Sequence, residues 1–287
     1  MTEDLISNFN ILPDLHQNPR FAKAMVDIGW TIMGNPGKYL FIRNVGPLSV
    51  AKIQHSNSID FDLLKKIRQK YHTLTTYIEP GLLHPDIQKK GLSVEPFANS
   101  ATSLVDLTLS TTDLLNSFKS KTRYNISYAK RKNDLKIITK DFHDLTASDF
   151  DIFKISRESW SKRKKVVCYE GKFFNALIKH FSHSGWVHFA YHQDKCVGTL
   201  MILKNGKAAI YYAAFAENLG YSLFAPTLLT WTAMTTAKEA GCHIFDFGGI
   251  YDPRYKMYKK WIGFTKFKEG FSPTVIYYPP TQLFIGW

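Results

Sequence analysis

The segment WVHFAYHQDKCVGTLMILKNGKAAIYYAAF, residues 186–215, decides the fold. Three runs of apolar and β-branched residues occupy 186–192, 195–203 and 207–215, and the short turns Gln193-Asp194 and Asn205-Gly206 separate them. Runs of this length around such turns are typical of antiparallel strands joined as hairpins. We therefore predict a three-stranded antiparallel sheet in this part of the chain.

The residues after this segment predict a helix and a buried strand. Pro226 suits the first turn of a helix, where its missing N–H is not needed, and Gly241 suits the end of that helix. The apolar run 243–247 then predicts a buried strand, and a last strand is predicted at 274–278.

The residues before the segment predict one strand and three helices. Residues 104–109 alternate as a strand, and Ser110-Thr111-Thr112-Asp113 is a capping box that begins a helix predicted to run to about Lys132. Two further helices are predicted at about 148–162 and 171–181. This order of predicted elements resembles the Gcn5-like acyltransferase unit, in which a strand is followed by two or more helices, three strands, a helix and a strand.

The first hundred residues offer similar content in a shorter form. Helices are predicted at 16–28 and 60–71, and strands at 30–33, 39–45, 50–53 and 75–78. The predicted fold class is therefore α/β with mixed sheets, as two Gcn5-like acyltransferase domains in tandem with the first one shortened. The predicted domains are residues 1–101, residues 102–274, and a C-terminal strand in 275–287 that returns to the first half.

Composition bounds the class of protein. The 287 residues carry a formal net charge of +13, with 45% apolar and 21% charged side chains. These fractions are typical of a folded globular protein and argue against long disordered stretches. The positive charge favours a polyanionic partner such as RNA or a nucleotide-linked substrate, although a basic soluble protein without such a partner has the same balance.

The cysteines and the apolar runs indicate the compartment. Cys168, Cys196 and Cys242 are widely separated, which predicts reduced thiols. The N-terminus lacks the basic and apolar regions of a signal peptide, and no run approaches the ~18 apolar residues of a membrane span. We therefore expect a soluble, cytoplasmic protein.

Two basic clusters are candidate phosphate-binding sites. The first includes Lys119, Arg123 and Lys130 on one helix sector beside two tyrosines, where like charges repel unless an anion lies between them. A solvated helix face has the same composition, so function and structure are equally good interpretations. In the second, at 160–165, cations also complement the end of a helix, and Arg163 stands out because its planar guanidinium suits a bidentate phosphate contact.

Two later segments are further candidates. In Phe245-Asp246-Phe247-Gly248-Gly249, the glycines allow close approach of a ligand, and Asp246 either binds loop amides or faces a site. Residues 256–271 interleave lysines with aromatic rings, a pattern that suits a nucleic-acid backbone and its bases but also fits a basic amphipathic segment. No Walker loop, nucleophile elbow or Rossmann fingerprint occurs. The pairs His180/His183 and His188/His192 lack carboxylates or thiolates at metal-ligand spacing, so we predict no metal site.

Together these blocks resemble the Fem family of peptidoglycan interpeptide-bridge aminoacyltransferases. The similarity covers about residues 100–275 in the correct order, whereas in the N-terminal region only residues 16–30 are weakly similar. The blocks that carry it are Leu104-Val105-Asp106-Leu107, Lys119-Ser120-Lys121-Thr122-Arg123-Tyr124-Asn125-Ile126, Tyr211-Tyr212-Ala213-Ala214-Phe215, the helix at 226–241, Phe245-Asp246-Phe247-Gly248-Gly249 and Phe267-Lys268-Glu269-Gly270-Phe271.

The resemblance implies transfer of an amino acid from aminoacyl-tRNA to the stem-peptide amine of a peptidoglycan precursor. It also implies that the domain 1–101 binds the acceptor substrate and that the domain 102–274 binds aminoacyl-tRNA and carries out catalysis. The acceptor is a UDP-muramyl pentapeptide or a lipid-linked muramyl peptide, with at most peripheral contact with the inner membrane face. No cofactor is needed, because the ester of aminoacyl-tRNA is already activated. The implied residues are Lys268 and Phe267 for catalysis, Lys23, Arg163, Tyr211, Tyr212, Asp246, Gly248 and Gly249 for the acceptor substrate, and Lys119, Arg123, Lys259, Lys260 and Lys266 for tRNA.

The chain departs from the family pattern in three respects, and two other functions stay open. The N-terminal half is short, the helical arm of some members is absent, and Ala213-Ala214 replaces a common Tyr-Gly pair. One alternative is an acetyl-CoA-dependent N-acetyltransferase, although residues 217–226 contain one glycine and an acidic residue where that chemistry needs a glycine-rich pyrophosphate loop. The other is a non-catalytic RNA-binding module.

Overall fold

The computed structural model describes residues 14–83, 91–132, 134–165 and 171–285, together with residues 7 and 9; Cys168 lies outside them. The chain divides into two compact units. The first comprises Met1–Thr102, Gly249–Ile262 and Val275–Trp287, and the second comprises Ser103–Gly248 and Gly263–Thr274. Gly249–Ile262 thus lies in the first unit, whereas the predicted boundaries placed it in the second half.

The first unit is built on a mixed six-stranded sheet with the order β1-β2-β3-β4-β13-β5. Only the pair β3–β4 is parallel among the strand pairs with a described register, and helix α2 connects these two strands. The elements are α1 (Pro19–Asp27), β1 (Thr31–Met33), β2 (Leu40–Val45), β3 (Leu48–Ser56), α2 (Phe61–Tyr71), β4 (Thr73–Pro80), β5 (Leu92–Ser93) and β13 (Gln282–Ile285).

Local sequence sets the helix starts in this unit. The Asn18 side chain accepts from the Arg20 N–H at the start of α1, and Asp60 accepts from the Leu63 N–H at the start of α2. Alternate residues of β3 and β4 then meet the apolar side of α2 in a core that contains Ala51, Ile53, Leu64, Ile67 and Ile78.

The second unit contains most of a seven-stranded sheet with the strand order β12-β6-β11-β10-β9-β8-β7. Strands β7 to β10 form an antiparallel meander, and β10 and β11 are parallel with helix α8 between them. The elements are β6 (Ala101–Asp106), α3 (Thr111–Ser117), α4 (Ser120–Lys132), β7 (Lys136–Asp141), α5 (Ala147–Lys164), α6 (Gly171–His180), β8 (Gly185–His192), β9 (Lys195–Asn205), β10 (Ala208–Ala216), α7 (Asn218–Ser222), α8 (Ala225–Glu239), β11 (Ile244–Gly249), α9 (Ile262–Lys268) and β12 (Thr274–Tyr277), the last of which continues into the first unit.

The predicted hairpin segment is confirmed as three adjacent antiparallel strands of this sheet. Gln193 and Asp194 both have positive φ, of 46° and 61°, as the tight turn between two strands requires. Gly241 ends α8 with a φ of +75°. The core of the unit includes Ile126 and Ala129 of α4, Leu228 and Met234 of α8, and Phe245 and Phe247 of β11.

The two units contain the same succession of elements. In the first, β1-β2-β3 is an antiparallel meander followed by helix α2 and the parallel strand β4. In the second, β8-β9-β10 is followed by helix α8 and the parallel strand β11. This confirms the predicted class of two α/β halves with mixed sheets, the first with fewer elements.

Three details of the secondary structure differ from the prediction. The helix predicted from Thr111 to about Lys132 is two helices, because Phe118 is extended and its buried ring packs between Trp231 and Phe271. Strand β7 was not predicted, since its edge position leaves most of its residues partly exposed. The strand at 274–278 is not the last one, because β13 follows it and pairs with β4. In the part of the chain described, no helix has both the length and the apolar content needed to cross a bilayer.

Candidate functional site

The candidate site lies where strands β10 and β11 of the second unit cease to pair. Their parallel register runs from Ala208 opposite Ile244 to Ile210 opposite Asp246. Both strands continue past this point, and β10 has a register irregularity between Tyr211 and Ala213. Backbone groups beyond the last pair are therefore available to other partners.

Lys268 uses one of these backbone groups. Its Nζ donates to the Phe247 carbonyl oxygen at 2.8 Å, and its side chain is 6% exposed. The same nitrogen lies 4.8 Å from the centroid of the Phe264 ring and 5.7 Å from that of the Tyr211 ring. Phe264 and Lys268 are four residues apart on α9, so they share one face of the helix. A single cationic group is thereby fixed between two aromatic rings at the diverging strands.

Burial controls the protonation of this group. It lowers the pKa of the Lys268 ammonium to about 7, and the nearby Asp246 carboxylate opposes this shift. Asp246 is itself buried, and its Oδ1 accepts from the Gly248 N–H at 2.8 Å. Asp246 therefore does two things at once: it fixes the turn after β11, and its negative charge favours the ammonium form of Lys268.

The two tyrosines of β10 have different surroundings. Tyr211 packs among Phe245, Phe247 and Lys268, and burial raises the pKa of its phenol although a hydrogen bond with the Thr230 side chain acts in the opposite direction. The Tyr212 ring lies 6.4 Å from that of Phe173. Of these two predicted residues, Tyr211 is the one that the structure places beside Lys268.

The turn after α9 packs against the start of α4. The Lys119 N–H donates to the Gly270 carbonyl at 3.0 Å. A Cβ on Gly270 would lie 2.5 Å from Thr122 Oγ1, so any larger residue would displace the Thr122 side chain. Phe267 packs against the core beside Phe271. The predicted catalytic block and the predicted tRNA residue Lys119 are thus neighbours in the second unit.

Arg123 has a different setting from Lys119. Its Nη1 donates to the Phe118 carbonyl and, at 3.2 Å, to the Asn116 carbonyl. These are carbonyls at the end of α3, which have no partners within that helix. Lys119 by contrast has an exposed side chain. The structure therefore gives Arg123 a role in joining α3 to α4.

Replacing Arg123 with glutamine is expected to lower the free energy of unfolding by about 1.5–3 kcal/mol, because it removes charge-assisted bonds to two helix-end carbonyls. Urea unfolding followed by circular dichroism measures this, with Lys121→Gln on the exposed side of the same helix as control. If the two variants were equally stable, the joining role of Arg123 would be wrong.

Arg163 lies at the end of α5 near the residues that follow β10. Its Nη2 donates to the Ala216 carbonyl, and its guanidinium carbon lies 5.6 Å from the centroid of the exposed Tyr221 ring. The Lys164 ammonium is 5.9 Å from the same ring. Two cations therefore converge on one exposed aromatic ring, which is a surface suited to an anionic group.

The remaining predicted residues are dispersed. Lys23 is exposed on α1, and Lys259 and Lys260 are exposed in a 3-10 helix of the first unit. Lys266 is exposed on α9 of the second unit. Gly248 has a φ of +65°, a backbone conformation that favours glycine. A Cβ on Gly249 would lie 2.7 Å from the Trp261 ring, so the packing of that ring leaves no room for a side chain.

The segment 217–226 does not form an open amide loop. It contains the short helix α7, in which Tyr221 N–H donates to the Glu217 carbonyl and Leu223 N–H to the Leu219 carbonyl. A Cβ on Gly220 would lie 2.2 Å from the Val197 carbonyl oxygen, so this glycine serves packing against β9. The amides of Tyr221 and Leu223 are therefore not available to a pyrophosphate.

Two partners of Lys268, the Phe264 ring and the Phe247 carbonyl, were not predicted from the sequence. Phe264 could have been found, because its i,i+4 spacing to Lys268 is visible once 262–268 is taken as a helix. The Phe247 carbonyl could not, because only the end of the β10–β11 pairing leaves it available.

A family model and several solved structures are similar to this chain. Residues 120–257 match the family model described as Acetyltransferase (GNAT) domain, and no curated protein matches the chain. The structure of FemX has a TM-score of 0.75 at 14% identity, over 100% of this chain and 96% of FemX. The C-terminal domain (DUF2156) of a putative lysylphosphatidylglycerol synthetase from Agrobacterium fabrum has a TM-score of 0.64 at 14% identity, over 98% of this chain and 89% of that one.

L-PGS from Bacillus licheniformis is similar as well, with a TM-score of 0.59 at 13% identity, over 96% of this chain and 92% of that one. At these identities the likeness shows the fold, which is the GNAT-type acyltransferase fold. The predicted resemblance to the Fem family is thereby confirmed for the fold.

Proposed function

Taking the GNAT-type acyltransferase fold as the premise, we propose that this protein transfers an amino acid from aminoacyl-tRNA to the stem-peptide amine of a peptidoglycan precursor. The observation that carries the proposal is the buried Lys268 ammonium, held on the Phe247 carbonyl between two aromatic rings where β10 and β11 diverge. A cation this well fixed is suited to charge that develops during acyl transfer.

The chemistry needs little beyond positioning and charge stabilisation. The acceptor amine attacks the ester carbonyl, a C–N bond forms, and the C–O bond to the tRNA ribose breaks. The amine loses a proton and the departing ribose hydroxyl gains one. The tetrahedral intermediate carries an oxyanion, and the Lys268 ammonium donates a hydrogen bond to it in this proposal. Phe267 supports the same block of α9 by packing on the core.

Electrostatics supports an RNA donor and a phosphate-bearing acceptor. Exposed Lys119 lies beside the turn that follows Lys268, and Lys266 is exposed on the same helix. Arg163 and Lys164 flank the exposed Tyr221 ring in the second unit, which suits the diphosphate of a nucleotide- or lipid-linked acceptor. Lys23, Lys259 and Lys260 of the first unit remain predicted contacts to these substrates.

The acetyl-CoA alternative has less support in the structure. CoA recognition on this fold needs free amides ahead of α8, and the amides of Tyr221 and Leu223 donate within α7 instead. An ester on an RNA end does not require such a loop. The internal bonding of residues 217–226 therefore favours the aminoacyl donor.

The direct test supplies the proposed substrates. The purified protein is incubated with a pool of charged tRNAs and UDP-muramyl pentapeptide, and the product is examined by mass spectrometry. We expect a mass increase of one amino-acid residue on the pentapeptide, abolished when the tRNA is deacylated beforehand. Parallel reactions contain a lipid-linked muramyl peptide or phosphatidylglycerol vesicles as acceptor, and a third contains acetyl-CoA as donor. A product only from phosphatidylglycerol or only from acetyl-CoA would refute the proposed acceptor or donor.

A further inference from the structure

A carboxylate and two imidazoles meet in the first unit, and none of the three residues belongs to the candidate site around Lys268. Asp14 Oδ1 lies 2.6 Å from Nδ1 of His16, and Asp14 Oδ2 lies 3.0 Å from Nδ1 of His55. The three ligand atoms lie within 4.8 Å of one another. His55 comes from the end of β3, so the cluster joins two segments that the chain separates by 41 residues.

The backbone holds His55 in an unusual conformation. Its φ is 50°, in the left-handed region that residues other than glycine rarely adopt, and the β3–β4 register shifts between Gln54 and Ser56. The side chain is buried, and its ring stacks on that of Tyr278 at 3.8 Å and 1°. Such strain is maintained only where the surroundings fix it, and here it aims Nδ1 at Asp14.

Either hydrogens or a metal cation can occupy the space between the Asp14 carboxylate and the two imidazoles. A carboxylate offers only lone pairs, so each Nδ1 that faces Asp14 carries a hydrogen or shares a cation with it. Asp14 Oδ1 also accepts from the His16 N–H, and Oδ2 accepts from the Tyr278 hydroxyl at 3.4 Å. The His55 ring also hydrogen-bonds the backbone of Asn99. These contacts fix the orientation of the Asp14 carboxylate and of the His55 ring, as hydrogen bonds to metal ligands do.

We propose that Asp14, His16 and His55 form a zinc-binding site. Two imidazoles and one carboxylate are a donor set that zinc prefers, and three protein ligands leave a fourth position for water or another ligand. Zinc at about 2.1 Å from each donor places the donors about 3.3 Å apart. The donor atoms lie within 4.8 Å of one another, with the imidazole–carboxylate separations at 2.6 Å and 3.0 Å to different oxygens of Asp14. Side-chain shifts of up to about 1.5 Å therefore bring all three donors to one ion. On binding, Zn²⁺ replaces the Nδ1 hydrogens, which leave as protons.

The test measures zinc on the untagged full-length protein. After treatment with a chelator and dialysis against zinc chloride, elemental analysis is expected to give one zinc per chain for the wild type and near zero for His16→Ala and His55→Ala. His16 is a side chain at 19% exposure, so its replacement keeps the fold even if that of buried His55 does not. Circular dichroism verifies folding, and Co²⁺ in place of zinc reports the ligand geometry through its visible absorption.

His143→Ala is the matched control, because His143 belongs to a second Asp–His group with Asp141 and Asp144 on an exposed turn. This variant is expected to keep its zinc. In addition, zinc is expected to raise the unfolding temperature of the wild type but not of His16→Ala. Zinc that is lost in His143→Ala and kept in His16→Ala, or a wild type that binds none, would overturn the proposal and leave an imidazolium–carboxylate cluster.

Discussion

Replacing Lys268 with methionine is expected to slow aminoacyl transfer by about 10²–10³-fold, the usual effect of removing one oxyanion donor. Methionine has nearly the length of lysine and fits the apolar surroundings of Tyr211 and Phe264, but it has neither a charge nor a donor. The affinity for tRNA is expected to change little, because the Lys268 side chain is 6% exposed and contributes little to surface charge. Single-turnover product formation and filter binding measure the two quantities.

Lys154→Met is the control for this experiment. Lys154 is an exposed lysine of α5 in the same unit, so the change removes equal charge without touching the β10–β11 divergence. Its transfer rate is expected to equal that of the wild type. A Lys268→Met protein that transfers at the wild-type rate would show that the oxyanion is stabilised by another group.

The same experiment separates an enzyme from an RNA-binding module. An enzyme loses rate and keeps affinity when a group that acts in the transition state is removed. A binding module has no rate to lose, and its affinity depends on exposed cations such as Lys119 and Lys266. Loss of tRNA affinity in Lys119→Ala together with no product from any acceptor would favour the module.

Much of the second unit could be predicted because its sequence signals are local. The turns at Gln193-Asp194 and at Gly241 have positive φ, and residue types that favour such turns can be recognised in the sequence. The meander β8-β9-β10 and the helix that follows were found in this way. The break at Phe118 could not be found, since only the rings of Trp231 and Phe271 explain why this residue leaves the helix.

Some features of the candidate site could likewise be predicted from the sequence, and others could not. Lys268 was identified through its block of sequence, but its burial and its bond to the Phe247 carbonyl depend on where two strands stop pairing. Arg123 was grouped with Lys119 by charge, although its partners are the carbonyls at the end of α3. His55 is far in sequence from Asp14 and His16, so no local spacing of residues predicts that the three meet. Charge type is visible in a sequence, whereas charge environment requires the fold.

Lys268 is also expected to make the stability of the protein depend on pH between about 7 and 10. Its pKa falls from 10.5 to about 7 when the chain folds, because burial disfavours the ammonium. In this window the unfolded state binds more protons than the folded state, so the free energy of unfolding rises with pH, by up to about 1.4 kcal/mol per pH unit. Below pH 7 both states hold the proton, and the destabilisation by this group is at its maximum.

Lys268→Met removes this dependence. Relative to the wild type, the variant is expected to gain up to roughly 5 kcal/mol at pH 7, less the cost of leaving the Phe247 carbonyl without its donor, and the gain shrinks as pH approaches 10. Urea unfolding of both proteins at pH 7 and pH 9.5 gives the difference, in which the titrations of the other residues cancel. A gain in stability at neutral pH together with a loss of transfer rate would show that Lys268 serves catalysis at the expense of stability. If the difference in unfolding free energy were the same at both pH values, folding would not lower the pKa of Lys268, and the destabilisation assigned to its burial would be wrong.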